Sequence, residues 1–296
     1  MNYKAQITPG WIVVANAEEI VLDVGGVVLA GKRWRNGSLP VLALHGWLDN
    51  AASFDRIAPL LQGADVVALD LAGHGYSYHR TPQAAYNIWE DLPDILRAAD
   101  RLGWQQFHVI GHSRGAIIAS LLTVTLSERV LSTALLDGFR PDAVPYPQTF
   151  TQLAQFLREH LAIADKPRVR YETLERALEV RSRVSGMRAE TALPIVERGL
   201  QCIEGLWTWR ADPRLHLPSA IKLSPEQVQL MQAELAKKHC KLWLAERGMV
   251  PWLQQGGIDE LHFAKQIMPG SHHFHMEEQA EILAREIVEF WQDCEI

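Results

Sequence analysis

The chain alternates between short runs of apolar residues and longer amphipathic stretches. Runs of this kind are typical of parallel strands, which helices cover on both faces. The predicted strands are Pro40–Leu44, Asp65–Asp70, Phe107–Ile110, Val130–Leu136, Lys241–Ala245 and Leu261–Met268. The predicted helices between and after them are Ser53–Leu61, Tyr86–Leu102, Ala116–Leu126, Pro225–Lys238 and Glu277–Trp291. This alternation predicts an α/β fold with a doubly wound, mostly parallel sheet.

Two regions of the chain depart from this alternation of strands and helices. Near the start, the apolar runs Trp11–Ala15 and Val27–Trp34 flank a Gly-Gly pair and predict antiparallel strands. In the middle, residues 139–224 contain no clear buried strand, and the stretches Thr149–Ala162 and Thr173–Ser182 are helical in pattern. We therefore predict a core formed by residues 1–139 and 224–296, with a helical cap at 140–223.

The segment Gly111-His-Ser-Arg-Gly115 matches the pattern G-x-S-x-G. It lies directly between a predicted strand and a predicted helix, which is the context that a nucleophile elbow requires. The N-terminus of the following helix would favour negative charge developing at the serine. These features predict that Ser113 is a nucleophile, the alternative being a glycine-rich turn with an incidental serine.

A serine nucleophile needs an imidazole to accept its proton. Where a serine nucleophile lies at such an elbow, the catalytic residues follow one another along the chain as nucleophile, acid and base. The base is therefore expected last. The late histidines are His262, His272, His273 and His275. His262 falls within a predicted strand and is expected to be structural, whereas the other three lie on the loop before the last helix.

Acyl transfer also needs two N–H donors for the oxyanion. The residue after the nucleophile, Arg114, supplies one through its backbone. The second is predicted to be the N–H of Trp47, because His45-Gly46-Trp47 directly follows a buried strand. His45 is expected to hold this loop in place. Asp70 and His74, in the turn after the next strand, are also expected to be structural.

Four motifs together resemble the α/β-hydrolase superfamily. They are HGWLDN at 45–50, DLAGHG at 70–75, GHSRG at 111–115 and GSHHFHME at 270–277. The first resembles more narrowly the serine hydrolase-like proteins of that superfamily. The resemblance covers residues 11–139 and 224–294, and it implies the α/β-hydrolase fold. It also implies that His272 is the base, with His273 as second choice.

The triad acid departs from the family's usual pattern. The resemblance places the acid after the seventh core strand, but the matching position here is Gly248. Glu246 is two residues earlier. Haloalkane dehalogenases instead have an acid after the sixth strand, in a segment that Asp137-Gly-Phe-Arg-Pro141 resembles. We therefore predict Asp137, with Glu246 as second choice; the alternative for Asp137 is a strand-end cap.

Charge and composition exclude several classes of function. The net charge is −6 with no dense run of lysine or arginine, which argues against nucleic-acid binding. A membrane-spanning helix needs about 18 to 20 apolar residues, and no apolar run in the chain approaches this length. The three cysteines lack metal-ligand spacing, and the N-terminus lacks a signal-peptide pattern. We expect a cytoplasmic protein without disulfide, metal or cofactor.

The predicted activity is hydrolysis of a carboxylic ester or thioester of a small molecule (EC 3.1) through an acyl-enzyme on Ser113. Dehalogenase and epoxide hydrolase chemistry is disfavoured, because both need a carboxylate at that position. Hydrolysis of a carbon–carbon bond by the same triad and non-catalytic binding of a small molecule are the alternatives. Trp207 and Trp209 are candidates either for the substrate pocket or for the core of the cap. The oligomeric state stays open, with a homodimer as one option.

Overall fold

The computed structural model describes residues 17–163, 166–254 and 261–293. The strands of the main sheet are β1 Glu18–Asp23, β2 Val28–Arg35, β3 Gly37–Leu44, β4 Gly63–Leu69, β5 Phe107–His112, β6 Val130–Leu136, β10 Cys240–Arg247 and β11 Ala264–Ser271. In the described chain these eight strands are ordered β1-β2-β4-β3-β5-β6-β10-β11. The pairs β1–β2 and β2–β4 are antiparallel, and every other pair is parallel. The predicted mostly parallel sheet is confirmed.

Helices cover both faces of this sheet. They are α1 Asp91–Arg101, α2 Arg114–Thr125, α6 Pro225–Leu235, α7 Val250–Gln254 and α8 Ala280–Gln292. Because side chains alternate along a strand, β3 contributes to two separate cores. Leu42 and Leu44 belong to the cluster that contains Ile118 of α2, whereas Val41 belongs to the cluster that contains Leu283 of α8. The helices therefore form one layer on each side of the sheet.

The predicted elements near the start differ from the structure in two places. The predicted helix Ser53–Leu61 is replaced by two short 3-10 turns, Ala51–Phe54 and Ala58–Leu60. Pro59 lacks the N–H that a continuous helix would use there. The predicted strand Trp11–Ala15 lies outside the described residues, and β1 pairs with β2 instead. The sequence pattern missed β1 because most of its side chains are exposed or half-buried.

In the described residues of the segment predicted as a helical cap there are three α-helices and three short strands. The helices are α3 Thr149–Ile163, α4 Leu174–Ser185 and α5 Ala189–Gly199, and the strands are β7 Arg170–Tyr171, β8 Leu200–Ile203 and β9 Leu206–Trp209. The strands form an antiparallel sheet in the order β7-β9-β8. Glu204 and Gly205 join β8 to β9 with φ of 53° and 79°, as a tight two-residue hairpin requires. Strands of two to four residues are too short to show an alternating pattern, so the sequence predicted helices alone.

Segment 140–223 is bonded to loops that follow the carboxyl ends of β3 and β4. The bonds run from Trp47 Nε1 to Leu215 O at 2.8 Å, from Asn50 Nδ2 to Ile195 O at 2.9 Å, and from Asp212 N to Gly73 O at 2.9 Å. In parallel sheets, this edge is where ligand sites form. The segment is therefore placed to cover a site there. The limits 1–139, 140–223 and 224–296 stay a prediction.

Two expectations drawn from composition concern membranes and thiols. Among the described residues, no helix is both long and apolar enough to cross a membrane. Cys202 and Cys240 are free thiols, and burial raises the pKa of Cys240 above its usual range. Cys294 lies outside the described residues.

A buried histidine in β5 predicts how stability depends on pH. His108 is 1% exposed, and burial lowers its pKa to about 4. The unfolded chain gains a proton near pH 6.5, so between pH 6.5 and 4 it binds more protons than the folded chain. The free energy of unfolding should therefore fall as pH falls through this window, by up to about 3 kcal/mol from His108. Urea unfolding of wild type and His108→Asn from pH 7 to 4 measures this, and an unchanged slope in the variant would contradict it.

Candidate active site

Ser113 lies at the sharp turn between β5 and α2. Its backbone has φ 51° and ψ −116°, a conformation that residues other than glycine rarely adopt. A Cβ on Gly115 would lie 2.0 Å from Leu44 O, and one on Gly111 would lie 2.4 Å from Gly115 O. The Ser113 N–H donates to Leu136 O at 2.9 Å, which holds the turn against β6. Both glycines are thus sterically required, as the elbow interpretation predicts.

The structure brings the predicted acid and base together. His272 Nδ1 lies 2.5 Å from Asp137 Oδ2. Asp137 has no exposed side-chain surface, whereas 32% of the His272 side chain is exposed. A buried carboxylate on one ring nitrogen leaves the other available to act as a base.

Backbone amides hold the Asp137 carboxylate in place. Oδ1 accepts from Ala245 N at 2.9 Å, and both oxygens accept from Met249 N at 3.1 Å. A Cβ on Gly248 would lie 1.9 Å from Asp137 Oδ2. The carboxylate of Asp137 therefore occupies the space beside the position where the family pattern places its acid. This close approach explains why that position is glycine here.

Glu246, the second choice for the acid, is placed differently. It is near the end of β10 and exposed, and in the described part of the chain it makes no hydrogen bond to a histidine.

The two predicted oxyanion donors lie on the loop after β3 and at the start of α2. Arg114 is the first residue of α2, where an amide has no partner within the helix. Across the described ranges, neither the backbone N–H of Arg114 nor the backbone N–H of Trp47 donates to another residue. His45 Nε2 accepts from Leu71 N at 3.0 Å, and Nδ1 donates to Gly46 O at 2.7 Å. This is the loop-holding role expected for His45.

The Ser113 hydroxyl makes no hydrogen bond within the parts of the chain that the structure describes. Catalytic hydrogen bonds are commonly long before substrate binds. A proton transfer from Ser113 to His272, and the oxyanion role of Trp47 and Arg114, thus stay predictions.

A second polar cluster lies beside His272, and of its three residues the sequence predicted a role for His273, the second choice for the base. Asp49, His112 and His273 are buried together, and the ring of His112 is centred 4.7 Å from that of His272. Burial lowers the pKa of His112 to about 4. Burial alone would raise the pKa of Asp49, but His273, His112 and Arg181 hold it well below its usual range. The only signal in the sequence was the placement of these residues beside the predicted catalytic motifs.

Asp70 is the centre of a buried ion-pair network under segment 140–223. It has no exposed side-chain surface, and Arg198 Nε contacts its two oxygens at 2.9 and 3.0 Å. It also accepts from Ala51 N at 2.8 Å and Tyr76 N at 2.9 Å. These contacts agree with the structural role expected for Asp70, with Arg198 as an unforeseen partner. His74 is buried as well, and Leu48 N donates to its Nε2 at 3.4 Å.

Replacing Arg198 with leucine should lower the free energy of unfolding by about 3 to 5 kcal/mol, since it leaves Asp70 buried without a counter-charge. Arg176→Leu is the matched control, because the pair of Arg176 with Glu179 is largely exposed and should contribute about 0 to 1 kcal/mol. Urea denaturation at pH 7 measures both. Equal losses in the two variants would show that the Asp70 network contributes no more than a surface pair.

A cavity of about 490 Å³ lies between segment 140–223 and the loop after β3. Its lining is largely apolar and includes Leu48, Val180, Trp209 and His216. Trp47, whose N–H is a predicted oxyanion donor, stacks edge-on against His216 at 5.1 Å between ring centres. Trp209 borders this cavity, whereas Trp207 is not among its lining residues. Both tryptophans pack on the buried cap cluster of Ala177, Val196 and Leu200, and a role in substrate binding stays a prediction.

Comparison with protein families identifies one match over most of the chain. The family model for the alpha/beta hydrolase fold matches residues 40–215. A serine hydrolase-like protein of Dictyostelium discoideum is 29% identical over 297 residues, covering 93% of this chain and 82% of the relative. A serine hydrolase-like protein of Danio rerio is 31% identical over 242 residues, covering 79% of this chain and 73% of the relative.

Solved structures agree with this family match. A hypothetical protein from Pseudomonas aeruginosa PAO1 is 38% identical with a TM-score of 0.88, covering 93% of this chain and 99% of that one. A thioesterase domain from the curacin biosynthetic pathway is 22% identical with a TM-score of 0.75, covering 93% of this chain and 100% of that one. At 22% identity the likeness shows the fold alone.

Proposed function

The chain belongs to the α/β-hydrolase family, and on that premise we propose that it is a serine hydrolase that cleaves a carboxylic ester or thioester. The observation that carries the proposal is the contact of His272 with the buried carboxylate of Asp137, beside the strained turn at Ser113. A strained nucleophile turn costs free energy, and such strain is characteristic of functional sites. The serine hydrolase-like relatives support the same reaction class.

In the proposed reaction, Ser113 Oγ attacks the acyl carbon while His272 Nε2 takes its proton. Asp137 keeps the other ring nitrogen protonated and stabilises the imidazolium. The N–H groups of Trp47 and Arg114 donate to the oxyanion of the tetrahedral intermediate. His272 then protonates the leaving alcohol or thiol, giving an acyl-enzyme on Ser113. A water molecule deprotonated by His272 attacks this ester and releases the acid.

The cavity supports an apolar substrate. Its volume of about 490 Å³ fits a small organic molecule, and most of its lining is apolar. It borders Leu48, the residue after the proposed oxyanion donor Trp47. We propose that the acyl chain occupies this cavity, with Trp209 in its wall.

Labelling with a fluorophosphonate, read by intact mass, tests the proposed activity. The wild type should gain one adduct, because an activated serine attacks phosphorus, and folded Ser113→Ala should gain none. A series of p-nitrophenyl esters of increasing chain length should then show turnover. A folded wild-type protein that neither reacts nor turns over any ester of the series would overturn the proposal.

A further inference from the structure

The cluster of Asp49, His112 and His273 has an electrostatic conflict at its centre. His112 Nε2 lies 2.9 Å from the carbonyl oxygen of His272. A carbonyl oxygen only accepts, so Nε2 must carry the ring proton. In neutral His112 the Nδ1 atom is then an unprotonated acceptor. It faces Asp49 Oδ2, another acceptor, at 3.6 Å.

Neither of these two atoms has a hydrogen-bond partner elsewhere in the described chain. Both residues are fully buried or nearly so, with 0% of His112 and 2% of Asp49 exposed. Two acceptors facing each other in the interior are unfavourable unless a positive charge or a hydrogen-bond donor lies beside them. Arg181 does not fill this role, because it pairs with the other carboxylate oxygen, Oδ1.

A third ligand atom points to the same place. His273 Nε2 lies 3.4 Å from Asp49 Oδ2, and His273 is 6% exposed. Bonds of about 2.0 to 2.1 Å in a tetrahedral zinc site place neighbouring ligand atoms about 3.4 Å apart. Two of the three separations, 3.4 and 3.6 Å, match this spacing, and all three ligand atoms lie within 4.8 Å of one another.

The surroundings match a metal site in two more ways. Ligating histidines commonly donate their second ring N–H to a backbone carbonyl, as His112 does to His272. Gly46 lies against the ligand atoms, where a Cβ would be 2.9 Å from Asp49 Oδ2 and 3.0 Å from His112 Nδ1. Glycine thus keeps the space beside these atoms free of a side chain.

We propose that Asp49, His112 and His273 bind one zinc-class divalent cation, with water as the fourth ligand. The cysteine spacing predicted no metal site, and these three ligands are distant from one another along the chain. They come from the loop after β3, the end of β5 and the loop after β11. These segments also contain Trp47, Ser113 and His272, so a bound ion would tie the parts of the proposed active site together.

Binding is tested on the full chain after dialysis against a chelator. Titration with Co²⁺ should saturate at one equivalent and give the intense visible absorption of tetrahedral cobalt, which Zn²⁺ then displaces. Zn²⁺ at a hundredfold excess over Kd should raise the Tm by about 5 °C. These readouts do not require hydrolase activity, so they can fail or succeed independently of the proposed function.

Variants locate the site. His273→Asn and Asp49→Asn should each weaken Co²⁺ binding at least about tenfold, the scale of one lost ligand interaction. His108→Asn, a buried histidine outside the cluster, and His262→Asn, an exposed one, should bind as the wild type does. If the wild type does not bind Co²⁺ at micromolar concentration, or binds it with a weak octahedral spectrum, the proposal is overturned. This result does not depend on whether the variants fold. Unchanged binding in both cluster variants would overturn it as well.

Discussion

Replacing Ser113 with alanine should lower kcat/KM for an ester substrate at least about 10⁴-fold, because the nucleophile is lost while binding and the oxyanion donors remain. The fold should be retained, since the side chain makes no hydrogen bond in the described structure. Alanine also removes no buried contact that holds the turn. Initial rates on a p-nitrophenyl ester measure the activity, and thermal unfolding measures the fold.

Ser120→Ala is the matched control for this experiment. Ser120 lies on α2, which begins directly after Ser113, and its hydroxyl is buried without a partner in the described chain. The same chemical change there should leave kcat/KM within about twofold, as expected for a substitution remote from the reacting atoms. Activity of Ser113→Ala within tenfold of the wild type would contradict the proposed nucleophile.

Replacing Asp137 with asparagine should lower kcat about 10⁴-fold, since an amide can hold His272 in the wrong tautomer and cannot stabilise the imidazolium. Glu246→Gln is the control. It removes an exposed carboxylate that makes no described contact with His272, so kcat should stay within about twofold of the wild-type value. A larger loss in Glu246→Gln than in Asp137→Asn would reassign the acid.

A paired substitution separates catalysis from folding at this position. A Cβ on Gly248 would be 1.9 Å from Asp137 Oδ2, so an aspartate there would extend from the space that the Asp137 carboxylate now occupies, once Ala245 Cβ at 2.9 Å has shifted slightly. Asp137 itself has φ 45°, which glycine tolerates, and Gly248 is not among the residues of positive φ. The double variant Asp137→Gly/Gly248→Asp should therefore be at least about tenfold more active than Asp137→Gly, because a carboxylate again reaches His272. If a folded double variant regains no activity, the acid must be supplied from the end of β6 and cannot be supplied from the end of β10.

The parts of the site that are local in the chain could be predicted from sequence. The glycines at 111 and 115 exclude side chains from a turn whose strand and helix are direct neighbours in the sequence. The apolar runs that form the parallel strands were predicted for the same reason, because burial on both faces shows in consecutive residues. The loop holding His272 was identified by its place between the last strand and the last helix.

Elements without a local pattern were missed. Strand β1 exposes most of its side chains, and β7, β8 and β9 are too short for their alternation to be visible. The two cap tryptophans at 207 and 209 were equivalent in sequence. In the structure both pack on the cap cluster, and of the two Trp209 borders the cavity.

Residues that are close together in the chain are enough to predict the fold class, the elbow at Ser113 and the loop of His272. Which carboxylate contacts His272, Asp137 or Glu246, depends instead on β6 and β10 lying side by side in the folded chain. The same packing brings Asp49, His112 and His273 together from two loops and the end of β5. Contacts between distant segments are set by how strands pair and layers pack, and a pattern of neighbouring residues does not contain that information.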